Sequence, residues 1–159
     1  MQSVFAPYIT HALYVRYCPT QQGYTSTYRL CTRRHIDFQP VGHLWYPHGT
    51  KCVPRTAHIW LTPRALAVWY MEDGSIKSKI SKGVYLNTHG FTRDDSEYLC
   101  DVLNTRYRIQ CWPVPDRHQY RIYVSGHSYT CLSRLIVPYF TSDMMYKWPP
   151  PRVTSLPKE

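Results

Sequence analysis

Carboxylates are scarce in this sequence. Ten Asp and Glu stand against 19 Lys and Arg, which leaves a formal net charge of +9. The shortage is uneven: residues 1–71 hold seven Lys or Arg and a single acid, Asp37, whereas residues 72–159 hold twelve and nine. Such a balance favours a polyanionic partner, nucleic acid first and an anionic membrane surface second. No apolar run reaches the ~18 residues that a membrane span needs, so no membrane partner is expected. The start, MQSVFAPYITHALYVRY, has neither a basic n-region nor the Arg/Ser-rich character of a transit peptide, which argues against both targeting classes. Six cysteines, at 18, 31, 52, 100, 111 and 131, form no CxxC pair, and eight histidines form no HxxxH or HExxH. A zinc site is thereby disfavoured, and the cysteines read as ordinary thiols of a reducing compartment.

What the chain does have is aromatic surface: fifteen Tyr and five Trp. These can pack a sheet or stack on bases. Periodicity and punctuation supply a coarse map. Residues 4–17 read as a helix, 24–34 as an alternating strand, and 36–47 as a helix interrupted by Pro40 and stopped by Pro47. In LTPRALAVWYMEDGS (61–75), Thr62 is placed to cap, Pro63 fits a first turn and Gly74 closes the helix. IKSKI (76–80) and GVYLNT (83–88) read as a hairpin, and Thr92 to Asp95 as a capping box that opens a helix to about Leu103. YRIQC (107–111) and YRIYV (120–124) alternate, joined by the proline-bearing WPVPDRHQ, before a last helix from Ser128 to Val137. The order predicts an α+β fold, an antiparallel four-stranded sheet backed by helices. On the two later strands Arg108, Gln110, Arg121 and Tyr123 are expected to share one polar face, suited to a nucleic-acid groove.

The helix 61–75 poses its own question, because adjacent Glu72 and Asp73 repel one another and resist desolvation. Its sequence resembles the second signature helix of two-motif LAGLIDADG homing endonucleases from organellar introns. GVYLNTHGFTRDDSEYLCDVLNTRY is similar to that family's following strand and helix, RLIVPYF…MMYKWP to its closing helix with a Lys-bearing end, and HGTKCVP to the segment that carries a lysine before the signature helix. The resemblance implies a LAGLIDADG-type αββαββα unit at 61–148. It also implies a truncated first half at 1–60, whose own signature helix is missing, and a Pro-rich tail at 149–159. Asp73 is then the ancestral metal ligand, for Mg2+ if the protein is catalytic, with Lys51 and Lys147 as the flanking basic residues. Nucleic-acid contacts are expected from Arg29, Arg33, Lys77, Lys79, Arg108, Gln110, Arg121 and Tyr123, with Tyr85 or Trp112 stacking. With one acidic helix end in view, the expected function is non-cleaving RNA binding in an organellar ribonucleoprotein, a ribosome or an intron complex, in the mitochondrion or another organelle. The alternative is a Mg-dependent double-stranded DNA endonuclease, completed by a second LAGLIDADG half or another protein chain.

Overall fold

The computed structural model describes residues 6–10, 14–20, 23–29 and 31–150. The chain divides into two compact units, Met1–Leu44 and Trp45–Glu159. The division falls well before residue 60, because Val53, Ala57 and Leu61 belong to the buried core of the second unit. Most of the Pro-rich tail, from residue 151 onward, lies outside the described residues.

In the first unit β1 (Tyr14–Thr20) and β2 (Gly23–Arg29) form an antiparallel hairpin, with Tyr14 opposite Arg29 and Thr20 opposite Gly23. The expected helix over 4–17 is therefore corrected. Ala6–Tyr8 forms a 3-10 turn, Ile9 makes an isolated antiparallel bridge to Thr32, and the stretch from Tyr14 is strand; Val4 and Leu13, two of the residues that suggested the helical face, lie outside the described residues. YVRYCPT is dominated by β-branched and aromatic residues, which fit a pleated surface better than a helix. The strand expected over 24–34 ends at Arg29. After it a 3-10 turn, Ile36–Phe38, leads into α1 (Gln39–Trp45).

The second unit carries the αββαββα order. A short α2 (Ala57–Trp60) precedes α3 (Pro63–Asp73), β3 (Gly74–Ile76), β4 (Val84–Asn87), α4 (Arg93–Tyr107), β5 (Cys111–Asp116), β6 (Gln119–Val124) and α5 (Tyr129–Ile136). The sheet is antiparallel in the order β3-β4-β6-β5. Its inner face contributes Val84, Leu86, Ile122 and Val124 to a core shared with Leu66, Ala67 and Tyr70 of α3, Leu99 and Leu103 of α4, and Leu132 and Ile136 of α5. Each of the Val, Leu and Ile side chains is worth about 1.5–3 kcal/mol on burial. None of the described helices is long and apolar enough to cross a membrane.

Local chemistry sets the helix ends. Thr62 accepts the Ala65 N–H at 3.2 Å. Thr92 and Asp95 satisfy one another's backbone N–H groups, so the capping box is complete. Two strand expectations are corrected. The hairpin over 76–80 starts earlier, with β3 leaving α3 directly at Gly74, and YRIQC is not a strand. Instead α4 runs on to Tyr107, and Arg108 closes it in the left-handed conformation (φ 54°). That turn returns Ile109 to the core, fully buried. The strand is the proline-bearing CWPVPD, tolerated because β5 is an edge strand paired only with β6.

Candidate nucleic-acid interface

The outer face of the sheet is built by alternation. Tyr85 and Asn87 of β4 lie opposite Tyr123 and Arg121 of β6, and Trp112 and Val114 of β5 lie opposite the same two residues from the other side. Tyr123 is the hub. Its ring lies 5.5 Å from Tyr85 and 5.1 Å from Trp112, the latter edge-on at 72°. Cations cover the rings: Lys77 Nζ is 4.8 Å from the Tyr123 centroid, and the Arg121 guanidinium is 3.8 Å from that of Tyr85. Gly83 makes room for the hub, since a Cβ there would meet the Tyr123 hydroxyl at 2.5 Å.

Charge on this face is only partly neutralised. Asp116 lies 3.7 Å from Arg121 and 3.0 Å from His89 Nε2. Arg121 Nε is shielded from solvent and has no acceptor among the described residues, an unmet donor on a face that is otherwise open. Sequence reasoning missed the Asp116–His89–Arg121 grouping, because nothing local links residues 89 and 116.

The predicted contacts sort as follows. The structure brings together Lys77, Arg121, Tyr123, Tyr85 and Trp112. Gln110 precedes β5 and its backbone continues the ladder, its carbonyl accepting the Ser125 N–H at 2.9 Å and its N–H donating to Ser128 Oγ at 2.8 Å. Lys79 is exposed in the loop between β3 and β4. Arg108 is corrected: it caps α4 and takes no place in the sheet. Arg33 is exposed in the first unit; Arg29 closes β2, and its side chain lies outside the described residues.

At the acidic helix end, Glu72 and Asp73 are both exposed. Neither carboxylate makes a hydrogen bond or ion pair with the described residues. Gly74 is demanded by proximity rather than by a left-handed turn, since its φ is −78° and a Cβ would meet Tyr70 Cδ2 at 2.5 Å. Lys147 is seated on this end, donating to the Met71 carbonyl at 2.5 Å and the Glu72 carbonyl at 2.9 Å. It neutralises the negative helix terminus and pairs with neither carboxylate. Its own carbonyl accepts the Tyr70 hydroxyl at 2.8 Å, and burial pushes that phenol up so that it stays a donor. Lys51 lies elsewhere, its Nζ 4.2 Å from the Phe91 centroid. Asp73 offers hard oxygen donors suited to Mg2+. Among the described residues no group of three or more His, Cys, Asp or Glu could hold a metal ion.

Comparison with known proteins gives a consistent picture. The model of the LAGLIDADG DNA endonuclease family matches residues 2–132. The chain is 31% identical over 121 residues to the cytochrome b mRNA maturase bI2 of Debaryomyces hansenii, covering 75% of this chain and 45% of that protein. It is 29% identical over 126 residues to the probable intron-encoded endonuclease 1 of Wickerhamomyces canadensis, covering 76% and 54%. The chain thus spans about half the length of these relatives. Among solved structures, the homing endonuclease I-WcaI bound to its DNA recognition sequence is similar at a TM-score of 0.81 and 26% identity, over 92% of this chain and 67% of that one.

Proposed function

Because this chain belongs to the LAGLIDADG DNA endonuclease family, we propose that it binds nucleic acid on the outer face of its four-stranded sheet, as a non-cleaving RNA-binding component of an organellar ribonucleoprotein. The carrying observation is the layer of Trp112, Tyr123 and Tyr85 threaded by Lys77 and Arg121. Duplex DNA offers side chains only base edges in its grooves, so a stacking surface is idle there, whereas RNA loops offer whole base faces. Guanidinium planes stack on bases as aromatic rings do, and Arg121 lies in this layer over Tyr85. The mRNA maturase name of one relative supports an RNA target, and the cytochrome b and intron-encoded names of the two support an organellar origin.

Cleavage of double-stranded DNA is the second reading, favoured by the exposed, unpartnered Asp73. Here Asp73 would hold Mg2+ together with a second carboxylate, donated by another LAGLIDADG half, a second copy or another protein chain. The bound ion would supply Lewis acidity at the phosphate. This chain's own part is to fix Asp73 through Lys147 and Gly74. Lys51 would be a basic residue flanking that site, there to stabilise transition-state charge or position water. Filter binding with a structured intron RNA and a DNA duplex of equal length separates the two. The RNA reading expects tighter RNA binding, weakened about tenfold by Trp112→Ala. Magnesium-dependent cutting of an intron-insertion duplex, abolished by Asp73→Asn, would overturn it in favour of the nuclease.

A further inference from the structure

The first unit holds a groove of about 650 Å3 that includes Arg33, Arg34, His35, Ile36 and Phe38 in its lining. This lies within the span of about 300–1,000 Å3 typical of small-ligand sites. Asp37 is the sole acid in residues 1–71, and its carboxylate is already engaged. It accepts the Tyr8 hydroxyl at 2.5 Å, while the Asp37 backbone N–H donates to His35 Nδ1 at 3.3 Å. The bond to the Asp37 carboxylate holds the Tyr8 phenol above its ordinary range. Arg33 and Arg34 are both exposed and have no carboxylate partner among the described residues. Two exposed arginines at successive positions invite an anion, and their guanidinium forks match phosphate oxygens.

Beside them stands an aromatic group. The Tyr8 ring packs against His35 at 5.1 Å (65°) and against Phe38 at 4.9 Å (57°), and Ile36 is 65% exposed at the rim. Asp37 fastens two of the three rings, so the group is fixed before any ligand arrives. We propose that this groove seats a single unpaired nucleotide of an RNA strand, with its phosphate on Arg33 and Arg34 and its base against the His35–Phe38 wall. It is a second contact, carried by the first unit, and it rests on the RNA reading above.

The test compares the full chain, an Arg33→Ala/Arg34→Ala variant and a Lys77→Ala/Arg121→Ala variant. Each is titrated across a salt series with two RNAs of equal length, one with an unpaired loop and one a blunt duplex. The first variant is expected to bind the looped RNA about tenfold more weakly, with a salt slope lower by about 0.7 for the one phosphate lost, and to bind the blunt duplex nearly as well as wild type. Phe38→Ala is expected to weaken looped-RNA binding with the salt slope unchanged. Adenosine 5′-monophosphate is expected to compete better than inorganic phosphate. Equal losses on both RNAs, no loss on either, or equal competition by phosphate would each overturn the nucleotide site. If Lys77→Ala/Arg121→Ala still weakens RNA binding in those cases, only this inference falls. If wild type binds neither RNA, the proposed function falls as well.

Discussion

Single residues at the acidic end of α3 carry more constraint than their chemistry suggests. Gly74 lies against Tyr70, and Tyr70 is packed by Phe140 at 5.8 Å and Trp148 at 5.3 Å, so the ring has nowhere to retreat. Gly74→Ala should therefore cost about 1–3 kcal/mol, read as a fall in thermal midpoint. Lys147 makes two charge-assisted bonds to the carbonyls that α3 leaves open. Lys147→Met should lose about 1–3 kcal/mol, with Lys147→Arg recovering part, in urea unfolding. Thiol chemistry separates by position too. Contact with Cys111 and then burial hold the Cys100 thiol above its ordinary range, whereas Cys131 is exposed. A raised pKa means less thiolate, so iodoacetamide at pH 8 should label Cys131 first and Cys100 last by mass spectrometry. Buried Tyr70 has the same sign. The folded state keeps its proton after the unfolded chain has begun to release it, so its share of stability is whole at neutral pH and declines from about pH 10 upward.

Whole elements show which sequence signals travel. The N-terminal ends of α3 and α4 were legible because Thr62–Pro63 and Thr92–Asp95 act within one turn. The region 107–116 was not. Alternation in YRIQC resembles a strand as much as CWPVPD resembles a loop, and the arbiter is tertiary: an edge position excuses the prolines, and burial of Ile109 draws the chain out of the helix. Arg108 bears the cost of that exit in a left-handed conformation that non-glycine residues disfavour by about 1–2 kcal/mol. Arg108→Gly is accordingly expected to raise stability by about 0.5–1 kcal/mol. It should also weaken RNA binding less than Arg121→Ala does, since Arg108 caps a helix and Arg121 faces outward.

For the molecule as a whole, charge and fold combine. The excess of +9 was visible at once, and period-two alternation sufficed to place Arg121 and Tyr123 on one face. The pairing of Asp116 with His89 and Arg121 required the folded sheet, as did the seating of Lys147. RNA affinity should fall steeply with salt, and Lys77→Ala should lower the slope by about 0.7. The prolines of β5 carry one more consequence. The Ser125–Gln110 hydrogen bond sets the phase of the ladder, so residues 112, 114 and 116 bond inward to β6 while 111, 113 and 115 turn their amide positions outward. Two of those three are Pro113 and Pro115, which have no proton to donate. This rim of the sheet cannot template a foreign strand, and is thereby guarded against fibre-like stacking in a tyrosine-rich protein. Any companion half must dock by some other surface.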